Sequence, residues 1–310
     1  MKLNIGLKKK KIIRQLTISK LRIFVTGKIM KKILFVISLL LFATNIALAV
    51  PISVKKLKVV TTSPYAASIV RDICGNKIVT KNIFFNSSPS QVLLPWYQES
   101  YEVDAKTVKD ISKSNVVLYH SWQPWIKNLK YRISKFGIVY HELRINGNLM
   151  VPETNLQLAK EITSLFSIWN GDNKDFYEKN FSDYNKKVNT IVEEIKENIE
   201  KFKGTKVVCS KNITPFMKRL GFDIIAEYKE AEYITTEEMQ ILKKKIKENK
   251  VKYIADSLQA GTDIGRALSE ELKMKHIVIS SIPLANSYVK TLEKNCETIF
   301  SQLADDTDGN

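Results

Sequence analysis

Few side chains in this sequence can bind a metal or move a proton. Its 310 residues include three histidines, His120, His141 and His276. His141 and His276 sit beside the apolar runs GIVYHEL and KHIVIS, where a histidine is most simply a hydrogen-bonded structural residue. His120 closes the apolar run NVVLYH and is followed at once by Ser-Trp-Gln-Pro-Trp. Glu99 opens ESYEV, Asp256 ends KVKYIAD, and Cys209 and Lys211 share VVCSK. Imidazole, carboxylate and thiolate are the donors that suit zinc- and manganese-class ions. Glu99, His120, Cys209 and Asp256 each carry such a donor and could form an unusual metal-ligand set. Lys211 would repel a bare cation and favour an anionic partner or an internal ion pair. Trp96, Tyr97, Trp122 and Trp125 lie in the same loops as Glu99 and His120. They could plug the region or offer a stacking surface to an organic ligand or metal chelate. Cys209 as a nucleophile would need a base within hydrogen-bond reach. No glycine-rich phosphate loop, serine-centred elbow or HExxH is present, so no enzyme is expected.

The elements around these residues alternate. LKVVTT (57–62), KIVTKNIFF (77–85), NVVLYH (115–120) and GIVYHEL (137–143) read as strands. Helices lie between them: YAASIVRDIC, 103–114 and PWIKNLKYRISKF. Strand–helix–strand in this rhythm predicts parallel βαβ units. The texture changes after Pro152. ETNLQLAKEITSLFSIW is one helix, and a second spans about 174–203. Its apolar residues Tyr177, Phe181, Tyr184, Val188, Ile191, Ile195, Ile199 and Phe202 recur every three or four positions, giving one continuous stripe. The βαβ texture then resumes with strands TKVVCS, GFDIIAEY, KVKYIADS and KHIVIS and helices near 213–219, 235–248, 262–273 and 286–302. The expected fold is α/β, two βαβ lobes with central, mostly parallel sheets joined by one long rigid helix. The lobes would span 50–152 and 204–310, with linking helices over 153–203. Ligands of open α/β sheets sit beyond the carboxyl ends of strands. Here those ends include Thr62-Ser63, His120-Ser121, Ser210-Lys211, Asp256-Ser257 and Ser280-Ser281, and the cleft between lobes is the expected site.

The net charge of +17 is concentrated at the front. Residues 1–49 hold 11 Lys/Arg and no acid, leaving +6 on the rest. A nucleic-acid partner is not expected, because most of the excess falls in a segment that reads as removable. MKKILFVISLLLFATNIALA, beginning at Met30, has two lysines, a short apolar run and Ala-Leu-Ala before Val50. That is the pattern of a secretory signal peptide cleaved near Ala49. Residues 1–29 read as an extra extension ahead of it. No cysteine stands directly after the cleavage point to take a lipid, so the expectation is a soluble, monomeric, periplasmic protein. Cys74, Cys209 and Cys296 remain, an odd number with no CxxC pair. At least one thiol is unpaired, and buried structural cysteine is the expected state.

In their order and spacing, VVTTSPYAASIVRDICGN, SYEVDAKTVKDISKSNVVLYHSWQPWIKNL, VPETNLQLAKEI, FYEKNFSDYNKKV and VKYIADS resemble the TroA-like substrate-binding proteins of zinc/manganese-type ABC importers. The resemblance covers about 57–303. It implies a rigid two-lobed fold, capture of a divalent ion (zinc or manganese class) between the lobes, and delivery to a permease in the inner membrane. It also implies four ligand positions. They correspond to Glu99, Gly147, Lys211 and a place within ISSIPLANS (279–287), where the family has histidines and carboxylates. The usual ligand set is therefore mostly replaced. A rebuilt metal site, a metal complex or organic ligand, and a degenerate accessory protein that binds only a partner all stay open.

Overall fold

The computed structural model describes residues 56–83, 103–133 and 137–304. The signal-peptide segment, the extension before it, Trp96, Tyr97 and Glu99 lie outside the described residues. Two four-stranded parallel sheets form the frame. The first has the order β2-β1-β3-β4, built from β1 (Leu57–Thr61), β2 (Ile78–Asn82), β3 (Val116–His120) and β4 (Val139–Leu143). The second repeats that plan as β6-β5-β7-β8, with β5 (Lys206–Ser210), β6 (Asp223–Tyr228), β7 (Tyr253–Ser257) and β8 (Lys275–Ile279). In each sheet the chain leaves its first strand in one direction and later returns on the other side. The switch points thus fall between β1 and β3 and between β5 and β7, where a crevice opens at the strands' carboxyl ends.

Local chemistry sets the helix ends. α1 (Pro64–Cys74) starts at a proline and is capped by Ser63, whose side chain accepts from the Ala66 N–H. Gly75, at φ 52, ends it. α2 (Ala105–Ser112) is capped by Asp104, which accepts from the Thr107 N–H at 2.6 Å. α3 (Trp125–Ile133) buries Trp125, Ile126 and Leu129 against the outer face of the first sheet. α4 (Pro152–Trp169) again begins at proline. α6 (Thr214–Arg219), α7 (Thr236–Glu248) and α8 (Asp263–Leu272) belong to the second lobe. α7 carries a full capping box between Thr235 and Glu238.

The long helix expected from the apolar stripe is α5, Lys174–Phe202. Its 29 residues, at ~1.5 Å each, run roughly 44 Å. Tyr177, Tyr184, Val188, Ile191 and Ile195 are buried along it, while Phe181, Ile199 and Phe202 are partly buried against the same core. α5 packs on α4, on α1 and on the last helix, α9 (Tyr288–Ala304). One apolar core therefore runs from Leu57 through α4 and α5 to Leu303, taking in the inner faces of both sheets.

Polar ties cross the same joint. Tyr184 donates to Asn155 Oδ1 at 2.5 Å and Asn180 Nδ2 donates to the Ile73 carbonyl at 2.8 Å. The Tyr288 N–H donates to Ser68 Oγ and its hydroxyl to the Met150 carbonyl, both at 2.9 Å. Arg219 grips Glu153 through Nε at 2.8 Å and through Nη2. Because the lobes share a core, calorimetric heating is expected to give one cooperative transition. Two resolved peaks would show that they unfold independently.

Candidate functional site

Between the lobes, at the carboxyl ends of both sheets, lies a cavity of about 270 Å³. The turn after β1 supplies Ser63, Pro64 and Tyr65, and the turn after β3 supplies Trp122. The segment entering α4 supplies Gly147, Asn148, Leu149 and Met150. The second lobe gives Asn212, just past β5, and Ser281, just past β8. Two hydrogen bonds hold these walls in place across the cleft. Tyr65 donates its hydroxyl to the Ser281 carbonyl at 2.8 Å, and Asn148 Nδ2 donates to the Asn212 carbonyl at 2.9 Å.

The described wall residues are neutral, and most of their polar atoms are occupied. The Ser281 hydroxyl is shared with Ser257 Oγ at 2.6 Å and Gln259 Oε1 at 3.2 Å. Asn148 Oδ1 accepts from the Met150 N–H at 2.8 Å. Asn212 Oδ1 accepts from Ser210 Oγ at 2.9 Å, but its Nδ2 is buried with no partner. Gly147 stands at φ 118, and a β-carbon there would meet Thr154 Oγ1 at 3.2 Å. Backbone alone can line the wall at that point. The amino end of α1 opens on the same space and favours negative charge there.

Of the sequence-derived candidates, Trp122 lines this cavity, 42% exposed at its rim. His120 lies directly behind it, stacked on the indole with ring centroids 5.2 Å apart and planes 14° from parallel. His120 is 1% exposed and neither ring nitrogen has a hydrogen-bond partner. Burial pushes its imidazole down to about 4, so it is neutral at pH 7. Its backbone N–H donates to Gln123 Oε1 at 3.0 Å, and Gln123 Nε2 returns to the Thr62 carbonyl at 3.1 Å. This clamp fixes the ends of β1 and β3 together. Lys211 is exposed beside Asn212, with its N–H donating to the Tyr228 carbonyl at 2.9 Å.

Asp256 and Cys209, expected as cleft ligands, stand elsewhere. Asp256 Oδ1 accepts from the Tyr228 hydroxyl at 2.7 Å and Oδ2 meets His276 Nε2 at 2.9 Å. α8 passes directly over this pair. A β-carbon on Gly265 would fall 2.0 Å from Asp256 Oδ2 and 2.6 Å from His276 Nε2. Asp256 shares the face of its strand with Ile254, turned toward α7 and α8 and away from the cavity. Burial first, and then the Asp256 charge, hold the Tyr228 hydroxyl well above its ordinary range. Cys209 sits in the apolar core with Phe216 and Met217, its Sγ 3.3 Å from Thr214 Oγ1. Burial raises that thiol to about 11. Cys74 and Cys296 are likewise free and buried.

His141 and His276 are structural, as their apolar settings indicated. His141 Nε2 lies 3.4 Å from Glu161 Oε1, and its ring packs edge-on against Trp169. Among the described residues no group of three or more His, Cys, Asp or Glu converges on one point. Of the polar residues that line the cavity, Ser63 and Ser281 were visible in the sequence only as the carboxyl ends of strands, and Asn212 had no signal of its own.

Comparison with known proteins places this geometry. Residues 150–302 match the family model described as the zinc-uptake complex component A, periplasmic. The manganese ABC transporter substrate-binding lipoprotein PsaA of Streptococcus anginosus is 27% identical over 251 residues, which is 69% of this chain and 78% of that protein. The metal ABC transporter substrate-binding lipoprotein FimA of Streptococcus parasanguinis is 26% identical over 226 residues, covering 63% and 70% of the two chains. Among solved structures, a mutant of the laminin-binding adhesin Lmb of Streptococcus agalactiae superposes with a TM-score of 0.68 at 18% identity, over 80% of this chain and 99% of that one. Zn(II)-bound AdcA of Streptococcus pneumoniae gives a TM-score of 0.64 at 19% identity over 80% of this chain. The present chain spans 57% of AdcA's length.

Proposed function

We propose, for a chain that is a divergent relative of the metal-type ABC substrate-binding proteins and has the TroA-like fold, that it is the exported binding component of a metal importer. It holds its cargo, a divalent metal ion of the zinc or manganese class or a complex of one, in the cleft between the lobes. It then passes that cargo to an inner-membrane permease. One observation carries the reading. The cavity lies where the carboxyl ends of two parallel sheets face each other, at the switch points that position ligands in such sheets. The role is one of capture and release, with no bond made or broken, and it needs neither an enzyme's nucleophile nor a nucleic-acid surface. The segment from Met30 to Ala49 directs export and is removed. The mature protein works as a periplasmic monomer.

The test is metal uptake by cells. Deleting the gene should lower the zinc or manganese content of cells grown in metal-limited medium. The full chain should restore it, and a chain lacking residues 30–49 should not. Unchanged metal content in the deletion strain would overturn the importer reading and favour an accessory protein that docks on a partner.

A further inference from the structure

The positive charge of this chain is unevenly placed even with the basic front segment set aside. Residues 50–152 hold 14 Lys/Arg against 6 Asp/Glu, a net +8. Residues 204–310 hold 16 of each, a net of zero, and the linking stretch 153–203 stands at −2. The two lobes share one sheet topology but not one electrical character.

Within the first lobe the cations gather on one face. α2 and α3 both pack on the outer side of the first sheet, away from α1, α4 and α5. α2 buries Thr107 and Ile111, and Lys106, Lys109 and Lys113 stand exposed on its opposite side, three and four residues apart. α3 contains no acid. It buries Trp125, Ile126, Leu129 and Ile133 and exposes Lys127, Tyr131 and Arg132. Lys130 lies over the sheet, its Nζ 5.4 Å from the ring centroid of Tyr119 and 5.5 Å from that of Tyr140. The two acids of 103–133 are already engaged: Asp104 caps α2, and Asp110 pairs with Lys81. The corresponding face of the second lobe, under α7 and α8, is balanced. From Thr235 to Leu272 seven basic residues meet seven acidic ones, several as direct pairs such as Lys243–Glu271, Lys244–Glu248 and Arg266–Asp263.

A face of this kind calls for a negatively charged partner, and its composition selects which kind. Protein interfaces favour arginine and deplete lysine. Five of the six cations in 103–133 are lysines. Lysine is a flexible point charge, suited to a diffuse layer of anionic groups rather than to a fixed carboxylate fork. Tyr131, 87% exposed among them, is the amphipathic aromatic that settles at headgroup depth.

Resting on the export reading above, we propose that the α2/α3 face of the first lobe docks the protein on an anionic phospholipid surface. α3 begins just after Trp122 at the cavity rim, so docking on this face holds the cleft beside the membrane.

Vesicle co-sedimentation tests this on the exported protein, recovered from cells expressing the full chain. The vesicles are phosphatidylcholine alone, or phosphatidylcholine mixed with phosphatidylglycerol. Binding to the mixed vesicles should exceed binding to the neutral ones by at least about tenfold at low salt. It should vanish near ~1 M salt, where the screening length shrinks to ~3 Å. Each basic residue near such a surface contributes roughly fivefold. The triple reversal Lys109→Glu, Lys113→Glu and Lys127→Glu should therefore weaken binding by about a hundredfold or more. The second-lobe triple Lys245→Glu, Lys247→Glu and Lys252→Glu makes the same change in net charge and should weaken binding by less than about threefold. All six positions are exposed, and both triples should melt like the parent protein. Equal losses in the two triples would overturn the proposal, because binding would then follow net charge. So would no binding to the mixed vesicles, or binding only to vesicles that carry inner-membrane proteins, which would point to an acidic protein acceptor. The measurement involves neither metal nor permease, so its failure leaves the importer reading standing.

Discussion

Gly265→Ala is expected to cost this protein several kcal/mol of stability, although alanine is the better helix former. A Gly-to-Ala change inside a helix ordinarily gains up to ~1 kcal/mol. Here the added carbon would lie 2.0 Å from Asp256 Oδ2 and 2.8 Å from its Cγ. The carboxylate cannot swing aside at little cost. It is 1% exposed, accepts from Tyr228 on one oxygen and meets His276 on the other. Either α8 lifts off the sheet or the buried carboxylate loses a partner. Overpacking costs about 1–3 kcal/mol, and leaving a buried hydrogen-bonding group without its partner about 1–3 kcal/mol. Urea unfolding of the variant should therefore show a net loss of roughly 2–4 kcal/mol after the helix-propensity gain. A neutral or stabilising result would mean that α8 does not rest on the carboxylate.

His120→Leu should act in the opposite direction and make the protein more stable. His120 keeps two ring nitrogens dry and unpartnered, and replacing such a group with an apolar one of similar shape removes the penalty. The expected gain at pH 7 is about 1–2 kcal/mol. It should grow as the pH falls. The folded imidazole titrates near 4, against about 6.5 in an unfolded chain. Below pH 6.5 the unfolded state takes up a proton that the folded state refuses, so stability is retained above 6.5 and lost progressively down to about 4. Across that window the loss attributable to His120 is on the order of 3 kcal/mol. Asp72 works against it in the same range, because burial raises its carboxyl to about 6 and acid therefore favours the fold. The measurement is the difference between parent and His120→Leu stability from pH 7.5 to 4.5, in which the Asp72 contribution cancels. A difference that stays flat with pH would show that His120 is solvated or paired.

The architecture was legible because its signals are periodic. The spacing from Tyr177 to Phe202 gave α5, and the alternation of β-branched runs with capped helices gave two parallel sheets. Most boundaries fell within two residues, the exceptions being ends such as KIVTKNIFF, which continues past the described residues. The site was legible as a set of strand ends and illegible as chemistry. All five residues of YIADS are buried, so burial could not tell which face Asp256 takes. It lies on the α7/α8 face, and its partners are His276 on the adjacent β8 and Tyr228 on β6, which lies beyond β5. Cys209, one strand over, is buried on the opposite face, in the core with Phe216 and Met217. Asn212 carried no signal, since an asparagine after a strand is ordinary turn chemistry. Its meaning comes only from the wall it completes.

The ties between α1 and the end of the chain also set an order of events in time. Tyr65 binds the carbonyl of Ser281, 216 residues away, and Ser68 binds the N–H of Tyr288, 220 residues away. The core that buries Leu57 is closed by Leu303. For a chain that emerges amino end first, the first lobe stays unfinished until the final helix arrives. Contacts of such long range make folding slow. A nascent copy therefore remains threadable until its last turns have been delivered, and a copy truncated before Tyr288 would lack the clasp that closes both halves at once.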